Sequence, residues 1–163
     1  MNIFFLDSDP KKAAQFHCDI HCNKMILEIC QQFCTNFHLQ DIKAPYKKTH
    51  INHPSTIWSR LSKSNFEWLI EHCQELCKEK IQRFGSKHKS EEVLNWVIEN
   101  YQYLSFPKKE LTKFSIAISN NTNCRKHPNF NQDNPVQAYR LYYKLDKNHI
   151  AKWKTENIPY WWK

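Results

Sequence analysis

The chain has 163 residues, the length of one domain, and holds a single glycine, Gly85. Phosphate loops built on bare backbone need several glycines, so P-loop and Rossmann readings are excluded, and a glycine-turned barrel or sandwich is disfavoured. Lys and Arg outnumber Asp and Glu by 24 to 16, and aromatics reach 14%, which makes nucleic acid the first candidate partner.

The predicted architecture is all-α: one compact domain over 1–163, a helical bundle with two long helices and a short extended segment at the N-terminus. Residues 2–6 read as a buried strand or an extended arm. Asp9-Pro10 is a helix start, a capping carboxylate before proline at the first helical position. The first long helix is expected from about Pro10 to Phe37, with Ala14, Cys18, Cys22, Met25, Ile29 and Phe33 on its apolar face. Beside that stripe run His17, His21, Lys24 and Glu28, two imidazoles, an ammonium and a carboxylate.

Residues 43–63 carry no acid but hold Lys43, Lys47, Lys48, Arg60 and Lys63, with His50 and His53. Pro45 and Pro54 bracket a loop there. A second long helix is expected over 55–84, with Trp58, Leu61, Trp68, Leu69, Leu76 and Ile81 inward and Gly85 as its left-handed cap. Ser90 opens a helix to about Leu104. Residues 107–134 read as loop plus a short helix, and Asn134-Pro135 starts a helix over 136–145. From Pro135 to Lys163 there are seven aromatics and six Lys or Arg against two acids, a composition that stacks unpaired bases and meets phosphates, or that caps a core.

Seven cysteines include the i,i+4 pairs Cys18/Cys22, Cys30/Cys34 and Cys73/Cys77. Such pairs share a helix face and pack as small apolar residues. No secretory leader or membrane-length apolar run is visible, so an intracellular, reducing location and no membrane partner are expected. His17, Cys18, His21 and Cys22 invite a zinc reading. His17 and Cys18 are about 100° apart around a helix, however, and a site would need help from His72, Cys73 or Cys77. No metal and no cofactor are expected.

The runs Met1-Asn2-Ile3-Phe4, Asp9-Pro10, His17-Cys18-Asp19, His21 and Lys24-Met25-Ile26-Leu27-Glu28 resemble a family of small proteins of phages and large DNA viruses. Thr49-His50, Asn52-His53-Pro54, Lys87-His88-Lys89-Ser90, Ala138-Tyr139-Arg140 and Trp161-Trp162 extend that resemblance over nearly the whole chain. It carries no activity of its own. A more distant similarity, over about half the chain, is to the pyrimidine-dimer DNA glycosylases of the endonuclease V type. It rests on Trp68-Leu69, Glu75-Leu76, Glu79 and Arg83, on His53 with Arg60-Leu61, and on Tyr139-Arg140, Tyr142 and Lys144. Those enzymes are basic all-helical domains that flip a nucleotide from duplex DNA, attack the sugar with the N-terminal amine and use one glutamate.

What this resemblance implies is a DNA-binding N-glycosylase-like protein, monomeric, acting on damaged or modified bases. Catalytic candidates are Glu28, Lys24, His21 and the amine of Met1. Nucleic-acid candidates are Lys47, Lys48, His50, Asn52, His53, Arg60, Tyr139, Arg140, Tyr142, Lys144 and Trp153. One departure stands out: bulky Asn2 disfavours removal of Met1, so the amine is not that of a small second residue. The alternatives are a non-catalytic nucleic-acid-binding module on the same scaffold and a zinc-stabilised interaction protein.

Overall fold

Where the sequence periodicity predicts two unbroken long helices, the backbone turns twice. The computed structural model describes residues 2–156 and 158–162 and contains helices but no named strand among them. The first long segment divides into α1 (Pro10–Phe16) and α2 (Asp19–His38), and the second into α3 (Pro54–Leu61) and α4 (Lys63–Phe84). Then follow α5 (Glu91–Asn100), a 3-10 turn at Tyr101–Tyr103, α6 (Asn123–Lys126) and α7 (Pro135–Asp146).

Local signals account for most helix ends. The Asp9 carboxylate accepts from the N–H groups of Lys11 and Lys12, and Asn134 does the same for Gln137. Gly85 closes α4 at φ 69°, a left-handed conformation that a Cβ would strain. Ser62 is the second break: its Oγ caps Asn65 N, while Lys63 N and Ser64 N donate to Lys108 O and Lys109 O of a remote loop.

The first break is held by Arg83. Its fully buried guanidinium makes five hydrogen bonds: two to Glu79 Oε2, one each to His17 O and Gln15 O, and one to Asp19 Oδ1. The carbonyls it reaches are the orphan acceptors at the end of α1, so a side chain from α4 terminates the helix packed against it.

α2 and α4 pack together at the centre, with α1 and α3 against α4 and α5 across both. All seven cysteines are free and buried, and Cys22, Cys30, Cys34, Cys73 and Cys77 belong to these two central helices. Cys73 is held well above the usual thiol range by hydrogen bonds with Cys30 and Cys77 and by burial, so it behaves as core. Leu61 is only half-buried, and Ile81, expected inside, is 40% exposed.

The N-terminal segment is an extended arm rather than a strand. Ile3, Phe4, Phe5 and Leu6 are all buried, each contributing about 1.5–3 kcal/mol of apolar transfer. Phe4 sits at φ 54°, a strained conformation for a bulky residue. Its ring lies between His21, stacked at 4.2 Å, and Tyr142 at 6.2 Å, which holds the arm in that turn.

Candidate functional site at the N-terminal arm

The polar stripe on the first long segment does not face water throughout. Three of its four members grip the arm. His17 Nε2 lies 3.0 Å from Ile3 O and its Nδ1 2.7 Å from Ala13 O. His21 stacks on Phe4 and shares a 2.6 Å hydrogen bond with the Tyr143 hydroxyl. Glu28 Oε2 accepts from Asn2 N at 3.2 Å. Asn2 is tied again through its side chain, which donates to Ala117 O and accepts from Phe4 N.

Electrostatics separate these groups. Burial pushes His21 down to about 3, with His17 and nearby lysines adding to the effect. Burial also lowers His17 to about 4, against the two carbonyls that favour its charged form. Both rings lie inside the core, where burial disfavours their charged forms, so His21, expected as a catalytic group, packs against the arm. Glu28 differs: its side chain retains 12% exposure, and Lys24 Nζ, 61% exposed, lies 3.4 Å from Oε1. His53 stands within electrostatic range. Burial lowers its pKa, with His50 adding to that and Glu28 opposing it. Met1, expected as the nucleophile, lies outside the described residues.

The basic loop arches over the far half of α2. Thr35 Oγ1 donates to Thr49 O and accepts from Thr49 N, His38 Nε2 lies 2.9 Å from Tyr46 O, and Tyr46 OH bonds Ser90 Oγ. With its backbone anchored, the loop presents Lys47, Lys48, His50 and Asn52 to solvent. His50 adopts φ 47°, with its ring bonded to Thr49 Oγ1. Arg60, expected to contact phosphate, donates to Ile51 O and braces the loop from α3. His53 caps α3, its Nδ1 accepting from Ser55 N.

Between Glu28 and this loop runs a polar seam that the sequence expectations missed. Glu28, Gln32 and Asn36 are spaced i,i+4,i+8 along α2, and Asn36 Nδ2 donates to Ser59 Oγ on α3. Gln32 is fully buried, and neither its amide nitrogen nor its oxygen has a partner; Ser55 Oγ and Asn36 Oδ1 also lack one. Orphaned buried polar atoms cost roughly 1–3 kcal/mol each, so Gln32 and Asn36, on the same helix as the partly exposed Glu28, stand out in this part of the fold. The visible sequence signal is a Gln and an Asn on an otherwise apolar helix face.

The aromatic C-terminus divides. Tyr139, expected to stack on bases, is fully buried and its hydroxyl accepts from Ala117 N. Tyr142 is half-buried on Phe4, with Lys147 over its ring at 4.9 Å. Trp153 donates its indole N–H to Phe16 O and packs on Trp162. Arg140 bonds Leu6 O and Asp7. These residues mainly strap the tail to α1 and the arm, while Lys144 is exposed.

No group of three or more His, Cys, Asp or Glu side chains able to hold a metal ion occurs among the described residues. Nor is any helix among them long and apolar enough to cross a membrane. Comparison with protein-family models, with curated proteins and with solved structures found no match to this chain.

Proposed function

We propose that this chain is a DNA-binding N-glycosylase-like protein acting on a damaged or modified base, with Glu28 as its catalytic carboxylate. The observation that carries the reading is the hydrogen bond from Asn2 N to Glu28 Oε2. It lays the N-terminal arm onto a partly exposed acid of α2. Attack at a sugar C1′ requires an amine nucleophile and a carboxylate. The amine forms a C–N bond and gives up a proton, the base departs with the glycosidic electron pair and gains one, and the carboxylate offsets charge developing on the sugar.

The surroundings support the same reading. Lys47, Lys48 and His50 are exposed on a loop anchored to α2, and exposed Lys24 lies beside Glu28, so phosphates meet side chains rather than a glycine loop. Strained His50 belongs to that loop, and such strain clusters at ligand-binding positions. His21 is outside the proposed chemistry.

The deciding experiment incubates the purified protein with ultraviolet-irradiated and with base-modified duplex and measures abasic product. Product from the native chain and none from Glu28→Gln supports the reading. Undiminished DNA binding with no product from either protein overturns it in favour of a non-catalytic nucleic-acid-binding module.

A further inference from the structure

A second cleft, of about 440 Å³, opens beside α7 and is independent of the Glu28 site. Asn134, Gln137, Arg140, Leu141, Lys144 and Trp161 line it, and none of the described lining residues is acidic. Its size falls in the range of small-molecule sites, about 300–1,000 Å³.

Arg140 is the centre of this cleft. Nε donates to Leu6 O at 2.8 Å, Nη2 to Asp7 Oδ2 at 2.8 Å and Nη1 to the Tyr160 hydroxyl at 3.1 Å. A guanidinium has five N–H donors, so these bonds leave one on each Nη. The plane of the group is fixed by those bonds, and its carbon lies 5.4 Å from the Trp161 ring centroid and 5.5 Å from that of Tyr160. The remaining N–H groups can donate to phosphate oxygens, and the guanidinium loses little freedom on binding because packing has already ordered it.

The other walls fit the rest of such a ligand. Lys144 lies one turn beyond Arg140 and adds a cation. The first turn of α7 contributes Asn134 and Gln137, where the helix dipole favours negative charge. Leu141 and Trp161 supply apolar surface for a planar ring, and Trp161 Nε1 is a buried donor with no partner. We propose that this cleft binds a nucleoside monophosphate, with the phosphate on Arg140 and Lys144 and the base against Trp161 and Leu141. The ligand is either a free nucleotide or an unpaired nucleotide of a strand.

Thymidine monophosphate is the probe. Titration is followed by tryptophan fluorescence and by the ¹⁵N-edited shift of the Trp161 indole, with thymidine and inorganic phosphate in parallel. Gln137→Glu places a negative charge in the cleft, and thermal melting checks its fold. The nucleotide binds saturably and shifts Trp161, thymidine binds at least about tenfold more weakly, and Gln137→Glu lowers nucleotide affinity by about tenfold or more. An oligonucleotide with an unpaired 5′-phosphorylated end separates the sources. Tighter binding than the free nucleotide, equally lost in Gln137→Glu, assigns the strand, and no gain over it assigns the free nucleotide. No saturable nucleotide binding up to about 10 mM, or binding indifferent to Gln137→Glu, overturns the proposal.

Discussion

The main-chain N–H of Asn2 donates to the Glu28 carboxylate over 3.2 Å, joining the start of the chain to the middle of α2. That bond is compatible with a glutamine at 28, whose amide oxygen is also an acceptor. Glu28→Gln is therefore expected to fold normally and to lose no more than about 1 kcal/mol, since the Lys24 pair is at the surface. Base-excision turnover is expected to fall by about 10²-fold or more, with duplex affinity changed by less than about threefold. Single-turnover kinetics beside equilibrium binding measure both.

Lys47 and Lys48 are exposed on a loop whose backbone is anchored elsewhere. Replacing both by Ala leaves the melting temperature nearly unchanged. It lowers the slope of log affinity against log salt by about 2, because each phosphate contact releases roughly one counterion. A slope equal to that of the native chain would remove this loop from the DNA interface.

Arg83 is fully buried, with five hydrogen bonds that span α1, α2 and α4. Arg83→Ala leaves Glu79 buried without its partner and is expected to cost about 3–5 kcal/mol, a fall in melting temperature of about 6–20 °C. Arg83→Lys recovers little, because three donors on a point charge cannot reach Glu79, Gln15 O and His17 O together. Denaturant melts of both variants test this, and a shift below about 1 kcal/mol in either would contradict the clasp.

Gln32 is fully buried with both side-chain polar atoms unpartnered. Gln32→Met keeps the length of the side chain and removes the desolvated amide. It is expected to stabilise the fold by about 1–2 kcal/mol. If the seam also reads the base, the same variant lowers glycosylase turnover while raising stability. A urea midpoint that falls would show that the amide is satisfied in solution.

His17, His21 and His72 are buried, with pKa values lowered by burial to about 4, about 3 and about 3. Their unfolded value is near 6.5, so the unfolded chain binds more protons below that pH. Stability is therefore full above pH 6.5 and falls as the solution is acidified towards the folded values, by on the order of 3 kcal/mol per histidine at pH 4. The loss should already be visible between pH 6.5 and 5, above the range where ordinary carboxylates titrate. Denaturation midpoints across that interval check it, and a flat profile would contradict the neutral, buried assignment.

Features that depend on a few adjacent residues are legible in the sequence itself. Asp9-Pro10, Asn134-Pro135 and Gly85 mark helix ends through caps that a short peptide could make. The helical class, the apolar cysteines and the basic loop follow equally from spacing and composition. The two breaks are not legible there, because apolar periodicity runs straight through His17-Cys18 and Leu61-Ser62. They depend on Arg83 and on the carbonyls of Lys108 and Lys109, partners far away in the chain.

The candidate site shows the same division. Sequence spacing alone puts His21, Lys24 and Glu28 near one another, because helix geometry decides that within a few turns. It cannot say which of them faces water. Only the tertiary structure does so, by laying residues 2–6 along the stripe: the arm covers His21 with Phe4 and leaves Glu28 at its open end. Single-glycine composition already requires that any phosphate be held by side chains and helix ends. Which side chains reach solvent is decided by packing: Tyr139, Arg60 and Trp153 are held inside or along the fold, while Lys24, Lys47, Lys48 and Lys144 are exposed. The physical reason is range: periodicity and capping act within a few residues, whereas burial depends on contacts that no local pattern specifies.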